Sequence, residues 1–159
     1  GRPDLAERFF RHSLQLEGRN EVALVGLAQA LSKSGEAGEQ EAEKLLTESP
    51  ILNDSSRALN TLAFLKATAR SSAVRDSRIA EELVRRAERL LMRPNVFTLD
   101  TLAAAQADQG RYAEAIATIE RAVSMAREDK LDALAEMLET RLPVYRANRP
   151  LRAGEVPLD

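Results

Sequence analysis

The sequence predicts an all-α fold built from a repeated pair of helices, and three observations support that prediction. Of the 159 residues, 44% are apolar but only 4% are aromatic, so the composition is rich in alanine and leucine. Two kinds of amphipathic segment alternate along the chain with helical spacing. Corresponding alanines recur 36, 38 and 35 residues apart, at Ala6, Ala42, Ala80 and Ala115. A period of this length indicates a repeat architecture.

The first kind of segment reads ALVGLAQALSKSG, ALNTLAFLKATA and TLDTLAAAQADQG. In each copy, leucine and alanine recur at positions that share one helix face, as Leu24, Leu27 and Ala28 do in the first copy. Gly35 and Gly110 end two of the copies, where a helix often needs a left-handed residue. We expect each copy to form the first helix of a pair.

The second kind of segment reads DLAERFFRHSL, AEELVRRAERL and EAIATIERAV. Here a small residue recurs after seven positions with a bulky residue between, as Ala80 and Ala87 flank Val84. Small residues two turns apart allow a neighbouring helix to approach closely. We therefore expect five alanines to be nearly inaccessible at helix contacts: Ala80, Ala87, Ala103, Ala115 and Ala122.

In chain order, these signals predict a single helical repeat domain over residues 1–148. It consists of an unpaired helix at 4–16, hairpins at 20–49, 55–92 and 96–128, and a capping helix at 131–148. An irregular tail follows at 149–159, because its sequence contains two prolines and a glycine. Asn53, Asp54 and Asn95 offer side-chain oxygens that could cap the helices after them.

The first helix has the second-type pattern but no first-type helix before it, and it carries the adjacent Phe9 and Phe10. A repeat helix cannot bury its apolar face alone. We therefore expect the chain to be the C-terminal part of a longer array, or to form a homodimer through this helix.

The segment LDTLAAAQADQGRYAEAIATIERAVSMA resembles the tetratricopeptide repeat, with Leu102, Ala103, Gly110, Tyr112, Ala115 and Ala122 at that family's spacing. The resemblance covers roughly residues 3–128, and the ending RLPVYRANRPLR is similar to the segment that closes bacterial arrays of this type. It implies a right-handed superhelical array of antiparallel helix pairs. It also implies a concave inner groove, lined by the first helix of each pair, that binds a protein or peptide partner.

The groove face follows from the helical phase of each first-type segment, as the stripe that is not committed to leucine–alanine packing. The candidate partner-binding residues are Val25, Gln29, Lys33, Arg57, Asn60, Phe64, Thr68, Phe97, Asp100, Ala104 and Asp108. Asn60 and Asp100 hold equivalent places, and two roles stay open for them: structural hydrogen bonding to the adjacent helix, or contact with a ligand.

Other classes of function find little support in the composition. Because 23 basic residues nearly balance 25 acidic ones, no strong field would attract nucleic acid or an anionic membrane. His12 is the only histidine and has no nucleophile near it in sequence, so we expect no catalytic residues. No metal or cofactor site is predicted, and no cysteine is present to indicate a cytoplasmic or a periplasmic location. No apolar run is long enough to insert into a membrane.

Two functional classes remain. The first is a non-catalytic scaffold that binds a polypeptide partner through the groove. The second is a non-catalytic repeat region of a larger bacterial enzyme or of an envelope or polysaccharide-secretion machine. The sequence beyond this chain would discriminate them, because a catalytic domain or membrane spans would select the second class.

Overall fold

The computed structural model describes residues 3–154, with only the backbone described at residues 3 and 4. Within this range the chain is all-helical and contains no strand. No helix of the described range combines the length and the hydropathy needed to cross a bilayer. The helices are α1 (Pro3–Leu16), α2 (Glu21–Leu31), α3 (Glu36–Thr47), α4 (Ser56–Thr68), α5 (Ser77–Leu91), α6 (Val96–Asp108), α7 (Tyr112–Glu128), α8 (Asp132–Glu139) and α9 (Leu142–Arg146).

Local capping decides where the helices begin. Asn95 caps α6 as predicted: its side chain accepts from the Thr98 backbone N–H, and the Thr98 hydroxyl accepts from the Asn95 N–H. At α4 the expected cap at Asn53 or Asp54 is wrong. Ser55 caps this helix instead, because its buried hydroxyl accepts from the Ala58 N–H while donating to Glu21 of α2.

The predicted turn glycines have the expected left-handed backbone. Gly35 has φ of 87° between α2 and α3, and Gly110 has φ of 75° between α6 and α7. Residues with a side chain rarely adopt such values, whereas glycine adopts them at little cost. These two turns allow each first helix to fold back on its partner within a few residues.

Neighbouring helices pack in pairs, and the first helices of the pairs also lie side by side. α2 contacts α3, α4 contacts α5, and α6 contacts α7, while α4 touches both α2 and α6. The prediction of buried alanines at the contacts is confirmed, since Ala80, Ala87, Ala103, Ala115 and Ala122 are all completely buried. Two apolar clusters of leucine, alanine and valine fill the space between the helices.

The first helix is less isolated than the sequence suggests. Phe10 packs over Gly26 of α2, where a side-chain carbon would lie only 2.5 Å from its ring. Phe9, the neighbour of Phe10, does not pack in this way and is 66% exposed. Leu5 and Leu16 on the same helix are also exposed. Pairing of this surface with another helix or a second copy stays a prediction.

The expected capping helix at 131–148 is wrong as one continuous helix. It is divided into α8 and α9 by a break at Thr140 and Arg141, just before Pro143 in the first turn of α9. Proline lacks a backbone N–H and clashes with the preceding turn, so a helix cannot continue through it undisturbed. The break lets Arg141 and Tyr145 become buried together.

The tail is irregular as predicted over 149–154, but it does not run free. Leu151 is only 3% exposed, and the segment packs against the first helices of the last two hairpins. Residues 155–159 of the predicted tail lie outside the described residues.

The long connection between α4 and α5 is held by a buried acid that the sequence did not reveal. Glu39 of α3 is completely buried, and its carboxylate accepts hydrogen bonds from the backbone N–H groups of Arg70 and Ser71 at 3.1 and 2.9 Å. The Arg70 side chain pairs with the same carboxylate. The α4–α5 connection thus obtains, from Glu39, hydrogen-bond acceptors for two of its backbone N–H groups.

We expect Glu39→Gln to lower the free energy of unfolding by about 1–3 kcal/mol, because the amide offers one acceptor oxygen to two backbone N–H donors, of which that of Ser71 is buried. Chemical denaturation monitored by circular dichroism measures the change. Glu41→Gln is the matched control, since Glu41 is exposed on the same helix. Equal stabilities of the two variants would mean that the carboxylate is not required for this loop.

We expect Ala115→Leu to lower the free energy of unfolding by about 1–3 kcal/mol, because added methylenes overpack a close helix contact. Ala117→Leu provides the control, as Ala117 is exposed on the same helix and leucine is equally compatible with helix there. Melting curves of both variants measure the difference. If Ala115→Leu melts like Ala117→Leu, α7 does not rely on close approach at Ala115.

Candidate functional site

A cleft runs across the adjacent faces of α2, α4 and α6. It has two adjoining parts of about 200 and 490 Å³, which share Gln29, Asn60, Thr61 and Phe97 in their walls. The larger part lies towards the beginning of α4, at Arg57, and the smaller part continues towards Thr68 at its end. We call the Arg57 side the open end of the cleft and the Thr68 side the closed end.

The structure brings most of the predicted groove residues to this cleft. The residues that line it are Val25, Gln29, Arg57, Asn60, Phe64, Thr68, Phe97 and Asp100. Lys33 lies beside a third, smaller space next to the closed end. Ala104 and Asp108 are not in the walls of these spaces. The helical phase therefore identified one shared surface, although its two ends differ in character.

The open end carries hydrogen-bonding groups without protein partners. The Asn60 Oδ1 atom is buried and accepts no hydrogen bond from any described residue. Gln29 is exposed nearby, and Phe97 is 58% exposed on the opposite wall. Arg57 is also exposed, and its Nη1 atom lies 3.5 Å from Glu21 Oε1. Because an unpaired buried acceptor costs free energy, Asn60 is the group in the cleft that most needs a donor.

The closed end of the cleft is bounded by a buried ion pair between Arg141 and Asp100. The Arg141 Nη2 atom donates to Asp100 Oδ2 at 2.8 Å, and its Nε atom lies 2.5 Å from Asp100 Oδ1. The guanidinium also lies over the Phe64 ring, 5.7 Å from its centre. This pair joins residues 41 positions apart and fixes the start of α9 against α4 and α6.

Burial dominates the protonation behaviour of this cluster. It raises the pKa of Asp100 above its ordinary value, while the positive charge and hydrogen bond of Arg141 act in the opposite direction. Burial also raises the pKa of Tyr145, and the nearby Asp100 charge adds to that effect.

The irregular tail at residues 149–154 also covers the closed end of the cleft. The Ala153 N–H donates to the Thr68 carbonyl at 2.9 Å, and Arg152 Nη2 donates to Asp108 Oδ1 at 2.6 Å. Arg75 from the α4–α5 connection lies 3.5 Å from the same Asp108 oxygen. Asp108 is thus held between two cations of its own chain.

Four predicted groove residues are buried within the chain: Val25, Thr68, Asp100 and Ala104. Ala104 belongs to the apolar core around α6 and α7. The Thr68 hydroxyl donates to the Phe64 carbonyl in its own helix. Arg141 pairs with Asp100 inside the chain, which favours the structural alternative for Asp100 over contact with a partner.

Sequence reasoning missed the side chains that close the cleft, namely Arg141, Leu151 and Arg152. Arginine next to proline in a polar ending indicates a solvated tail, and nothing in the local pattern identifies a partner 41 or 44 residues away. The signal that could have found them is charge: two aspartates on one face of α6 need cations, and the ending supplies arginines.

The chemistry that the cleft offers is binding through hydrogen bonds and apolar contact. Among the described residues that line its two parts, Asp100 is the one carboxylate, and Arg141 neutralises it. The remaining polar groups are amides, hydroxyls and the Arg57 guanidinium. His12 is exposed on α1, outside the cleft walls.

We expect Arg141→Met to lower the free energy of unfolding by about 3–5 kcal/mol, since it leaves the buried Asp100 carboxyl group without its partner. Arg146→Met, at the other end of α9, is the matched control, because its ion pair with Glu120 is exposed and should contribute at most about 1 kcal/mol. Thermal melts measure both. Nearly equal melting temperatures for the two variants would show that the buried pair does not hold the closed end.

Comparison of the chain with protein-family models, with curated proteins and with solved structures found no match. The assignment of a function therefore depends on the cleft itself. The relevant features are its position across three adjacent helices, its unpaired amide and its exposed aromatic ring.

Proposed function

We propose that this chain is a non-catalytic, tetratricopeptide-like repeat module that binds a polypeptide segment at the open end of the cleft. The observation that carries the proposal is the unpaired Asn60 Oδ1 atom, which lies in a cleft wall shared with the exposed Phe97. A peptide supplies both of the groups that such a surface lacks: a backbone N–H donor and an apolar side chain.

The dimensions of the open end suit a short stretch of polypeptide. The α4 residues in its wall run from Ser56 to Thr61, five residue steps, which correspond to roughly 7.5 Å along a helix at about 1.5 Å per residue. A non-helical chain rises by about 3.3 Å per residue, so roughly two or three residues would span this distance. A volume of about 490 Å³ accommodates side chains from such a stretch.

The polar groups of the open end favour a peptide over a strongly charged ligand. Gln29 and Asn60 can each donate and accept, as a peptide backbone does. Arg57 is the cation of this wall, and Glu21 lies close enough to balance it. Phe97 provides a flat apolar surface with few rotatable bonds, which is the kind of side chain that often dominates binding energy at protein interfaces.

We expect peptides selected from a random library for binding to the full chain to lose at least about fivefold in affinity with Phe97→Ala, since truncating a central aromatic contact costs more than about 1 kcal/mol. Phe9→Ala is the matched control, because Phe9 is an equally exposed phenylalanine on α1. Calorimetric titration measures both affinities, and circular dichroism verifies that helicity is retained.

Asn60→Ala provides a second variant in the same titration and should weaken the same peptides. We prefer these variants to Phe64→Ala, because Phe64 contacts Arg141 and its loss would disturb the closed end. Peptides that bind Phe97→Ala and Asn60→Ala as tightly as the unmodified chain would place the binding surface elsewhere.

A further inference from the structure

The closed end of the cleft already contains a stretch of polypeptide, supplied by the chain itself. We define residues 150–153 as the docked segment. It has no helical structure, and it reaches the end of α4 after the chain has passed through α8 and α9. Its contacts use three different kinds of interaction, each of which a separate peptide could make.

The first contact is between backbone groups. The Thr68 carbonyl belongs to the last turn of α4, where helix carbonyls lack partners within the helix, and it accepts from the Ala153 N–H at 2.9 Å. Any residue other than proline could donate this hydrogen bond. The contact therefore fixes the path of a bound chain without selecting its sequence.

The second and third contacts select side chains. Leu151 is 3% exposed at the closed end. Arg152 follows it, donating through Nη2 to Asp108 and through Nη1 to the Leu151 carbonyl at 3.0 Å. One planar guanidinium donates both hydrogen bonds through its two Nη atoms, whereas a lysine side chain has a single ammonium nitrogen. The docked segment thus presents an apolar residue followed by arginine to this end of the cleft.

We propose that the docked segment is a built-in ligand, and that the closed end accepts from a partner a non-helical segment in which an apolar residue precedes an arginine. This inference rests on the proposed function, since it extends peptide binding from the open end to the closed end. The docked segment then lowers the affinity of the closed end for a partner by occupying it first.

The size of that competition follows from tethering. A short flexible connection gives a tethered ligand an effective concentration of the order of mM. A site that its own segment fills for about 99% of the time shows an apparent affinity for an outside ligand lowered about 100-fold. Loosening the docked segment should therefore strengthen the binding of a peptide with the same chemistry.

The first test titrates a labelled hexapeptide, RPLRAG, which has the sequence of residues 149–154, into the full chain. We expect binding about 10- to 100-fold tighter to Arg152→Ala than to the unmodified chain, because the variant segment loses its bonds to Asp108 and to the Leu151 carbonyl. Arg146→Ala is the control variant and should bind like the unmodified chain. The peptide RPLAAG should bind neither protein, and Arg152→Ala combined with Asp108→Asn should lose RPLRAG.

Two results of this titration would overturn the inference. One is a folded Arg152→Ala variant that fails to bind RPLRAG, and the other is equal binding of RPLRAG and RPLAAG. A dimer of the unmodified chain formed by exchange of residues 150–153 would also overturn it, because the occupant would then be a second copy. Sedimentation at the titration concentration detects that dimer.

The second test uses the unmodified chain and does not depend on how the variant folds. If the docked segment is displaceable, the Ala153 amide should exchange its hydrogen at least about tenfold faster than the interior amides of α6, because it opens without global unfolding. Added RPLRAG should speed that exchange further by competing for the site. Protection of Ala153 equal to that of α6 would show that the segment is a fixed part of the fold.

These results are distinguishable from failure of the proposed function. Library peptides that depend on Phe97, together with a folded Arg152→Ala variant that does not bind RPLRAG, would support the open end and overturn the inference. Binding of RPLRAG that depends on Asp108, without any effect of Phe97→Ala on selected peptides, would support the inference and count against binding at the open end.

Discussion

The close approach of neighbouring helices at alanine is the constraint on which the rest of this structure depends. Ala103, Ala115 and Ala122 are completely buried, and a larger side chain at any of them would push two helices apart. Because these contacts are tight, α2, α4 and α6 lie next to one another and present one shared face. The cleft is a result of that packing: it is the part of the face that none of the described helices covers.

The Asp100–Arg141 pair decides where the cleft ends. Removing two charges from water carries a penalty of several kcal/mol for each ion, so such a pair contributes less to stability than its short distances suggest. The pair matters for positioning, because an unpaired charge at the same buried place would destabilise the fold far more than a paired one. The start of α9 is therefore held beside Phe64, and the chain after it continues into the closed end of the cleft.

Helix positions could be predicted from the sequence because their causes are local. Periodicity and turn glycines act over a few residues, and the hairpins at 20–49, 55–92 and 96–128 match α2 to α7 to within two residues. The closed end could not be predicted, because it depends on Arg141 and Arg152 meeting aspartates 41 and 44 positions away. The N-cap of α4 failed for a similar reason, since Ser55 also bonds Glu21 on another helix.

Asn60 and Asp100 show why a repeat position does not by itself determine a role. They occupy equivalent places on α4 and α6, yet Arg141 satisfies Asp100, while no described side chain satisfies the Asn60 oxygen. The difference comes from their neighbours: α6 is the last first-type helix, so the ending of the chain folds over it. The ending also reaches α4, at Phe64 and Thr68, but none of its described side chains bonds to the Asn60 oxygen. The Asn60 oxygen is therefore the acceptor in the cleft wall that no donor of the described chain satisfies, and under the proposed function a bound peptide would supply that donor.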